Sequence, residues 1–383
     1  MIGVVADDLT GAAELAGIGW RYGLQSEVVT APGRRSEAEL VCVDTDSRSC
    51  TPAAASERAA AAVRNLVASG ASRIYKKVDS VMRGRIVAEL ESILKELQLP
   101  RALLVPANPT LGRVVREGNY FVGGRPIHET DFRLDPEYPR HTSSVAELLG
   151  RTARDEVVPV CATRAALPVA GIVVGAAETT EDLQRWANIE DSGTLLAGAA
   201  QFFAALLESR GHRAGATANP PAPSTASELF VCGSASEACR SFVATERRRG
   251  VPVFGLPEPV AKGTKLAGHE VERIANQVAN KAESCSRIIL EVGLPPVGDR
   301  DIARQLAQQL VQVAQAVLAR RQFSQVYVEG GATGANLLQV MGWSRLTAVQ
   351  ELAQGVVTFQ IAGDSRRLTL KPGSYSWPAA VMR

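Results

Sequence analysis

Histidine is scarce in this chain, with 4 residues in 383, and aromatic residues make up only 5%. No His-Glu-x-x-His occurs, and the six cysteines (42, 50, 161, 232, 239 and 285) form no Cys-x-x-Cys pair. Structural or catalytic zinc and thioredoxin-type redox chemistry are therefore not expected, and the cysteines read mainly as buried free thiols. Neither sign of charge is in excess: 42 Lys and Arg stand against 40 Asp and Glu, a net charge of +2. That balance offers no electrostatic case for nucleic acid or an anionic membrane as partner. No apolar run approaches the roughly 18 residues of a membrane span. The opening MIGVVADDLTG carries acids where a secretory leader has a basic start and a long apolar stretch, so a cytoplasmic protein is expected. Neither Gly-x-x-x-x-Gly-Lys-[Ser/Thr] nor Gly-x-Gly-x-x-Gly is present, which excludes a standard P-loop or dinucleotide fingerprint.

What is present is an alternation of short apolar runs with amphipathic stretches. Residues 2–6, 40–44, 74–78 and 102–105 read as buried strands, being short, apolar and bounded by turn or polar residues. In 86–97 the residues Ile86, Leu90, Ile93, Leu94 and Leu97 share one helical face, and the alanine-rich 52–68 suits a packed surface helix. The segment 211–227, GHRAGATANPPAPSTAS, has almost no large apolar residue and reads as a linker. Beyond it, 229–232, 288–292 and 326–329 read as strands and 301–320 as a helix, with a β-hairpin across 356–370. The fold class predicted is α/β: two domains, each with a mainly parallel sheet flanked by helices, and an active site in the cleft between them. The expected division is 1–210, a linker at 211–227, and 228–383.

Five segments carry groups suited to chemistry. In residues 4–12, VVADDLTGA, a strand ends in Asp7 and Asp8 before a helix opens, the edge of an open parallel sheet where ligands bind. Asp8 there suits a general base, a hydroxyl acceptor or a metal ligand, and equally a plain helix cap. Residues 44–48, DTDSR, offer Arg48, whose planar fork matches a carboxylate or phosphate; its ordinary role is a loop ion pair with Asp44 or Asp46. Residues 75–86 place Lys76 and Lys77 on opposite faces of a buried strand that runs on to Asp79, Ser80 and Arg83. A lysine so placed needs a partner or a ligand. Ser80 suits a cap for the following helix, and Arg83 in its first turn would call for a nearby anion. Residues 105–136 read as a long irregular loop, either functional or merely solvated, with Arg113, Arg116 and Asn119 as anion or hydroxyl contacts.

In the second half, FVCGSAS (230–236) and VYVEGGATGANLL (326–338) each run from a strand into a small-residue turn. Such turns expose backbone N–H groups that favour phosphate. Gly373 within LTLKPGSY is a further close-approach turn or an ordinary hairpin end. A half rich in acids and fixed cations beside a half rich in glycine loops suits phosphoryl transfer, which needs positioning and charge stabilisation.

Taken in order, ADDLTGA (6–12), DTDSR (44–48), KKVDSVMRG (76–84), PANPTLGR (106–113) and GNYFVGGRPIHETDFRLDP (118–136) resemble the four-carbon acid sugar kinases over nearly the whole chain. This family includes 3-oxo-tetronate, D-threonate and D-erythronate kinases. The resemblance implies an N-terminal domain for the sugar acid, a C-terminal domain for ATP with Mg2+, and transfer of the γ-phosphoryl group to a terminal hydroxyl. Carried over by position, Asp7, Arg48, Lys77, Asp79, Ser80 and Arg83 would line the acid site, with Asp8 as the catalytic base. Ser234, Ser236, Gly330, Gly331, Ala332, Thr333 and Gly373 would line the ATP site. Where typical members read Gly-Gly-Glu-Thr-Ser, this chain reads Gly330-Gly331-Ala332-Thr333-Gly334. The alternatives are a degenerate kinase that binds a sugar acid or nucleotide without turnover, and a kinase of a longer sugar acid. A homodimer is the base-rate expectation for a soluble enzyme.

Overall fold

The computed structural model describes residues 1–31, 36–135, 137–150, 158–160, 167–189, 193–215, 227–294 and 300–382. Cys161 and residues 216–226 of the expected linker lie outside them. The chain divides into two compact units, Met1–Gly215 and Ala216–Arg383.

In the first unit the strands are β1 (Ile2–Ala6), β2 (Ser26–Val29), β3 (Leu40–Asp44), β4 (Arg73–Lys77), β5 (Arg101–Val105), β6 (Arg113–Arg116), β7 (Asn119–Val122), β8 (Arg125–Pro126), β9 (Val158–Val160), β10 (Gly171–Gly175) and β11 (Thr194–Gly198). Its helices are α1 (Leu9–Arg21), α2 (Pro52–Ala68), α3 (Ile86–Leu97), α4 (Val145–Leu148), α5 (Thr180–Ala187) and α6 (Ala200–Ser209). The order β2-β3-β1-β4-β11-β5-β10-β9 is parallel throughout. A parallel sheet needs helical crossovers and buries both faces, which is why β1 and β5 are almost wholly apolar. Val5, Val63, Leu66, Leu90, Ile93 and Leu104 belong to one core cluster packed under α2 and α3. Thr51 caps α2 through its hydroxyl, with Pro52 at the first helical position, where its missing N–H costs nothing.

Residues 105–136 are more ordered than their composition suggests. β6, β7 and β8 form a separate antiparallel sheet, and Ile127–Glu129 and Asp131–Leu134 are 3-10 turns. The positive φ of Glu117, Gly118, Gly123 and Gly124 supplies the tight turns between these short strands. With only a few residues per strand, there was no periodicity to read.

The second unit has β12 (Glu228–Cys232), β13 (Val253–Gly255), β14 (Arg287–Glu291), β15 (Gln325–Glu329), β16 (Arg345–Ala353), β17 (Val356–Ile361) and β18 (Arg367–Lys371). Its helices are α7 (Glu237–Arg248), α8 (Gly268–Lys281), α9 (Arg300–Arg320) and α10 (Gly331–Met341). The order β13-β14-β12-β15-β18 is parallel, and β17 and β16 continue it antiparallel. The expected hairpin is β17–β18; β16 extends it into a meander. Phe230 stacks on Tyr327 at 4.3 Å between ring centres, and Trp377 meets both edge-on, which fastens the C-terminal segment to β12 and α7. Among the described residues no helix is long and apolar enough to cross a membrane.

Candidate functional site

In the first unit, β1, β3 and β4 lie side by side and end together, Ala6 opposite both Asp44 and Lys77. Their carboxyl ends deliver Asp7, Asp8, Arg48 and Asp79 to one place. Arg48 bonds Asp7 through Nε (2.7 Å) and Nη2 (3.1 Å), and its Nη1 lies 2.7 Å from Asp8 Oδ2. Nη2 is also 3.7 Å from Asp79 Oδ1. Arg48 therefore pairs with acids of two other strand ends rather than with Asp44 or Asp46 in its own loop. Asp79 in turn holds Arg83 bidentately, at 3.0 Å to Nε and 2.8 Å to Nη2, and Arg83 Nη1 lies 3.4 Å from Asp135.

These pairings set the ionisation of the cluster. Burial pushes the Asp7 carboxyl up, but Arg48 and Lys76 outweigh it and hold it below its ordinary value. Asp79 is held well below the usual carboxylate range, because Arg83 and Arg48 overcome the same burial. Both acids are thus anions at neutral pH. Asp7 and Asp79 are enclosed, whereas the Asp8 side chain keeps 19% of its surface exposed. Asp8 also caps α1: its Oδ1 accepts from Gly11 N–H at 2.9 Å and its Oδ2 from the Thr10 hydroxyl at 2.6 Å. The helix-cap reading of Asp8 holds, and the capping carboxylate remains partly exposed.

Lys76 and Lys77 point to opposite faces of β4. Lys76 Nζ is 3.0 Å from Glu89 of α3, and Lys77 Nζ is 3.6 Å from Glu14 of α1 while donating to the Val78 carbonyl at 3.0 Å. The partner that Lys76 required is thus internal. Ser80 does not cap the following helix. Its hydroxyl accepts from Arg113, its carbonyl accepts from the Tyr120 hydroxyl, and α3 starts only at Ile86 with no side-chain cap. The reason is the turn before it: Asp79 Oδ2 takes the N–H groups of Val81 and Arg83, and Met82 and Gly84 have φ of 63° and 96°. Arg83 accordingly stands in this turn and not in the helix. Gly84 is required here, because a Cβ would lie 2.8 Å from Asp7 Oδ2.

Asp44, at the end of β3, behaves oppositely to Asp7. Burial pushes its carboxyl up to about 8; the Asp46 N–H opposes this, and the neighbouring charges of Asp8, Asp46 and Asp7 add to it. A carboxyl raised above its unfolded value of about 3.9 contributes stability at acid pH that is lost as pH climbs through the folded value. Asp44→Asn keeps an acceptor for Asp46 N–H but cannot ionise. Its melting temperature should fall less than that of the wild type between pH 5 and pH 9, as differential scanning calorimetry would show.

In the second unit three turns meet at the ends of β12, β15 and β18. Ser236 caps α7 and donates its hydroxyl to the Gly373 carbonyl at 2.6 Å, and the Ser234 hydroxyl reaches the same carbonyl at 3.3 Å. Gly330 N–H bonds the Lys371 carbonyl at 3.0 Å. Thr333 is buried, its hydroxyl against Gly233. Ser234, Ser236, Gly330, Thr333 and Gly373 are thereby gathered. Gly331 and exposed Ala332 form the first turn of α10, which has no side-chain cap, so its leading N–H groups suit an anion. A Cβ on Gly233 would sit 1.9 Å from Thr333 Oγ1, and one on Gly373 would sit 2.8 Å from Ser234 Oγ. Gly233→Ala should therefore part the two turns. Urea unfolding should show stability lowered by about 1–3 kcal/mol, typical of overpacking.

Beneath these turns the buried pair Glu329–Lys371 (3.1 Å) is joined by Trp377 Nε1, 3.1 Å from Glu329 Oε2. The Cys232 and Cys239 thiols lie within 4.8 Å of the Glu329 carboxylate, and this is the only such group of metal-ligating side chains among the described residues. The hydrogen bond that the Cys232 thiol donates to Cys239, then burial, push the Cys232 thiol well up, and the Glu329 carboxylate already faces an ammonium and an indole N–H. Both oxygens of Glu329 are thus engaged within the cluster, Oε1 by the Lys371 ammonium and Oε2 by the Trp377 indole N–H.

Known proteins share this architecture. A family model described as a sugar-binding N-terminal domain matches residues 2–206, and one described as a nucleotide-binding C-terminal domain matches residues 229–375. The chain is 30% identical to a D-threonate kinase of Cupriavidus necator over 411 residues, covering 99% of this chain and 95% of that one. It is 29% identical to a 3-oxo-tetronate kinase of Methylobacterium radiotolerans, covering 98% and 96%. A D-threonate kinase of Bordetella bronchiseptica is 36% identical over 198 residues, a match spanning about half of each chain, 49%. Solved structures from Salmonella typhimurium LT2 (TM-score 0.81, 21% identity, 100% and 97% covered) and Haemophilus influenzae (TM-score 0.73, 21% identity, 98% and 97% covered) share the fold. With both domain models matched in order and relatives aligned end to end, the chain belongs to the four-carbon acid sugar kinase family.

Proposed function

We propose that the protein is an ATP-dependent kinase that phosphorylates a terminal hydroxyl of a four-carbon sugar acid: threonate, erythronate or 3-oxo-tetronate. The observation that carries this reading is the cluster at the ends of β1, β3 and β4. There, fixed arginines hold Asp7 and Asp79 as buried anions and leave Asp8 as the accessible carboxylate. Asp8 accepts the proton of the attacking hydroxyl, and Arg48 Nη1, 2.7 Å from its Oδ2, keeps it oriented. Asp7, Arg48, Lys77, Asp79, Ser80 and Arg83 line the acid site. Residues 1–210 form the acid-binding domain and 228–383 the nucleotide-binding domain, with 211–227 connecting them.

MgATP is the phosphoryl donor, taken by Ser234, Ser236, Gly330, Gly331, Ala332, Thr333 and Gly373. The fit rests on the uncapped first turn of α10 and on turns that leave no room for a Cβ at Gly233 or Gly373. Catalysis of this transfer is mostly positioning and charge stabilisation, so fixed groups suffice on the protein's side.

One observation favours a second reading. Ala332 is exposed in the first turn of α10, where typical members carry a glutamate. A protein that binds acid or nucleotide without turnover would fit that loss. Thermal-shift titrations with MgATP and with each acid separately, read beside product formation, divide the two readings. Shifts with product support the kinase, and shifts without product support the binder.

A further inference from the structure

Arg140 was no part of any motif. Its side chain is 6% exposed, and its Nε and Nη2 have no hydrogen-bond partner among the described residues. A buried guanidinium with idle donors is costly, since each unmet N–H loses its water without replacement. The chain nevertheless holds it in place. Arg140 N–H bonds the Phe132 carbonyl at 3.1 Å, and its guanidinium lies 5.7 Å from the Tyr138 ring centre. Tyr138 donates its hydroxyl to the Arg48 carbonyl, and Asp135, which takes the Tyr138 N–H at 2.8 Å, pairs with Arg83. The segment carrying Arg140 is thus stitched to both arginines of the acid cluster, and Asp79, Arg83 and Asp135 are among its charged neighbours.

The other guanidiniums there are spent. Each nitrogen of Arg48 faces Asp7 or Asp8, and each nitrogen of Arg83 faces Asp79 or Asp135. Arg113 donates to Ser80. We infer that Arg140 is the residue that binds the carboxylate of the sugar acid, offering it the buried N–H donors that no protein group takes. This rests on the proposed acid-kinase reading, and it separates two duties: Arg48 and Arg83 arrange the carboxylates, whereas Arg140 recognises the substrate's own.

The test compares wild type with Arg140→Lys, which keeps the charge but not the fork, and Arg140→Met, which keeps the bulk alone. KM for the preferred acid should rise about 10- to 100-fold, the range for losing a charged hydrogen bond. KM for MgATP should stay within about twofold. The ligand-free melting temperature of Arg140→Met should hold or rise, because an unmet buried charge is removed, while the shift given by the acid shrinks in both variants. An unchanged acid KM in both variants, with the wild type active, overturns the inference alone. Equal losses for acid and ATP with a lowered ligand-free melting temperature also overturn it, since that is a structural role. A wild type that neither shifts nor turns over with any four-carbon acid refutes the kinase reading, and the inference falls with it.

Discussion

Asp8→Asn should lower turnover by about 10²- to 10⁴-fold, the usual contribution of a positioned general base, while leaving the fold intact. Asparagine is as good a helix cap as aspartate: its Oδ1 can still accept from Gly11 N–H, and the amide NH2 that replaces Oδ2 can donate to the Thr10 hydroxyl oxygen instead of accepting from it. What disappears is the proton acceptor and the charge facing Arg48 at 2.7 Å. Melting temperature and MgATP affinity should therefore be near wild type, with the loss falling on kcat. Asp8→Ala would confound the result, because it also removes the cap, at about 1 kcal/mol. A variant Asp8→Asn that turns over at more than a tenth of the wild-type rate would remove Asp8 from the role of base and pass it to another group.

Lys76→Met should be the most destabilising single change in the first unit, at about 3–5 kcal/mol, because it strands one charge of a buried pair. Lys76 and Glu89 are 0% and 1% exposed, and apart from Lys76 the carboxylate has the Ser47 hydroxyl. Burial already pushes Glu89 up against the pull of Lys76. Without the ammonium it would rise further. The loss should accordingly be larger at pH 8 than at pH 5, since a carboxyl with a raised folded value costs stability only where it must ionise. The double variant Lys76→Met with Glu89→Leu should recover most of the loss and its pH dependence. Urea unfolding at the two pH values would measure both effects, and a Lys76→Met variant as stable as the wild type would show that the pair contributes nothing.

These contrasts show which physical signals lie in sequence. β1 and β3 are legible because a buried parallel strand is a short apolar run with polar ends. α2 and α3 are legible because one face must pack, and the demand on Lys76 is legible because a charge in such a strand needs an answer. The identity of that answer is not, for Glu89 lies on the next helix and only the fold brings it near. Arg48 shows the same limit: its neighbours along the chain, Asp44 and Asp46, look like its partners, yet the parallel alignment of β1, β3 and β4 gives it Asp7, Asp8 and Asp79. Ser80 looks like a cap because a serine stands between a strand and a helix, but the left-handed Met82 and Gly84 intervene. The small sheet β6-β7-β8 is built from turns with strands too short to show a period. Arg140 left no signal, since its significance is an absence of partners.

The most direct test of the kinase reading is ADP release from MgATP with threonate, erythronate and 3-oxo-tetronate in turn, with the phosphorylated acid confirmed by mass. The account predicts turnover on at least one of these acids, coupled one-to-one to phosphoacid and lowered at least about a hundredfold in Asp8→Asn. ADP release that is the same with and without every acid, or that stays above about a tenth of the wild-type rate in Asp8→Asn, would contradict it.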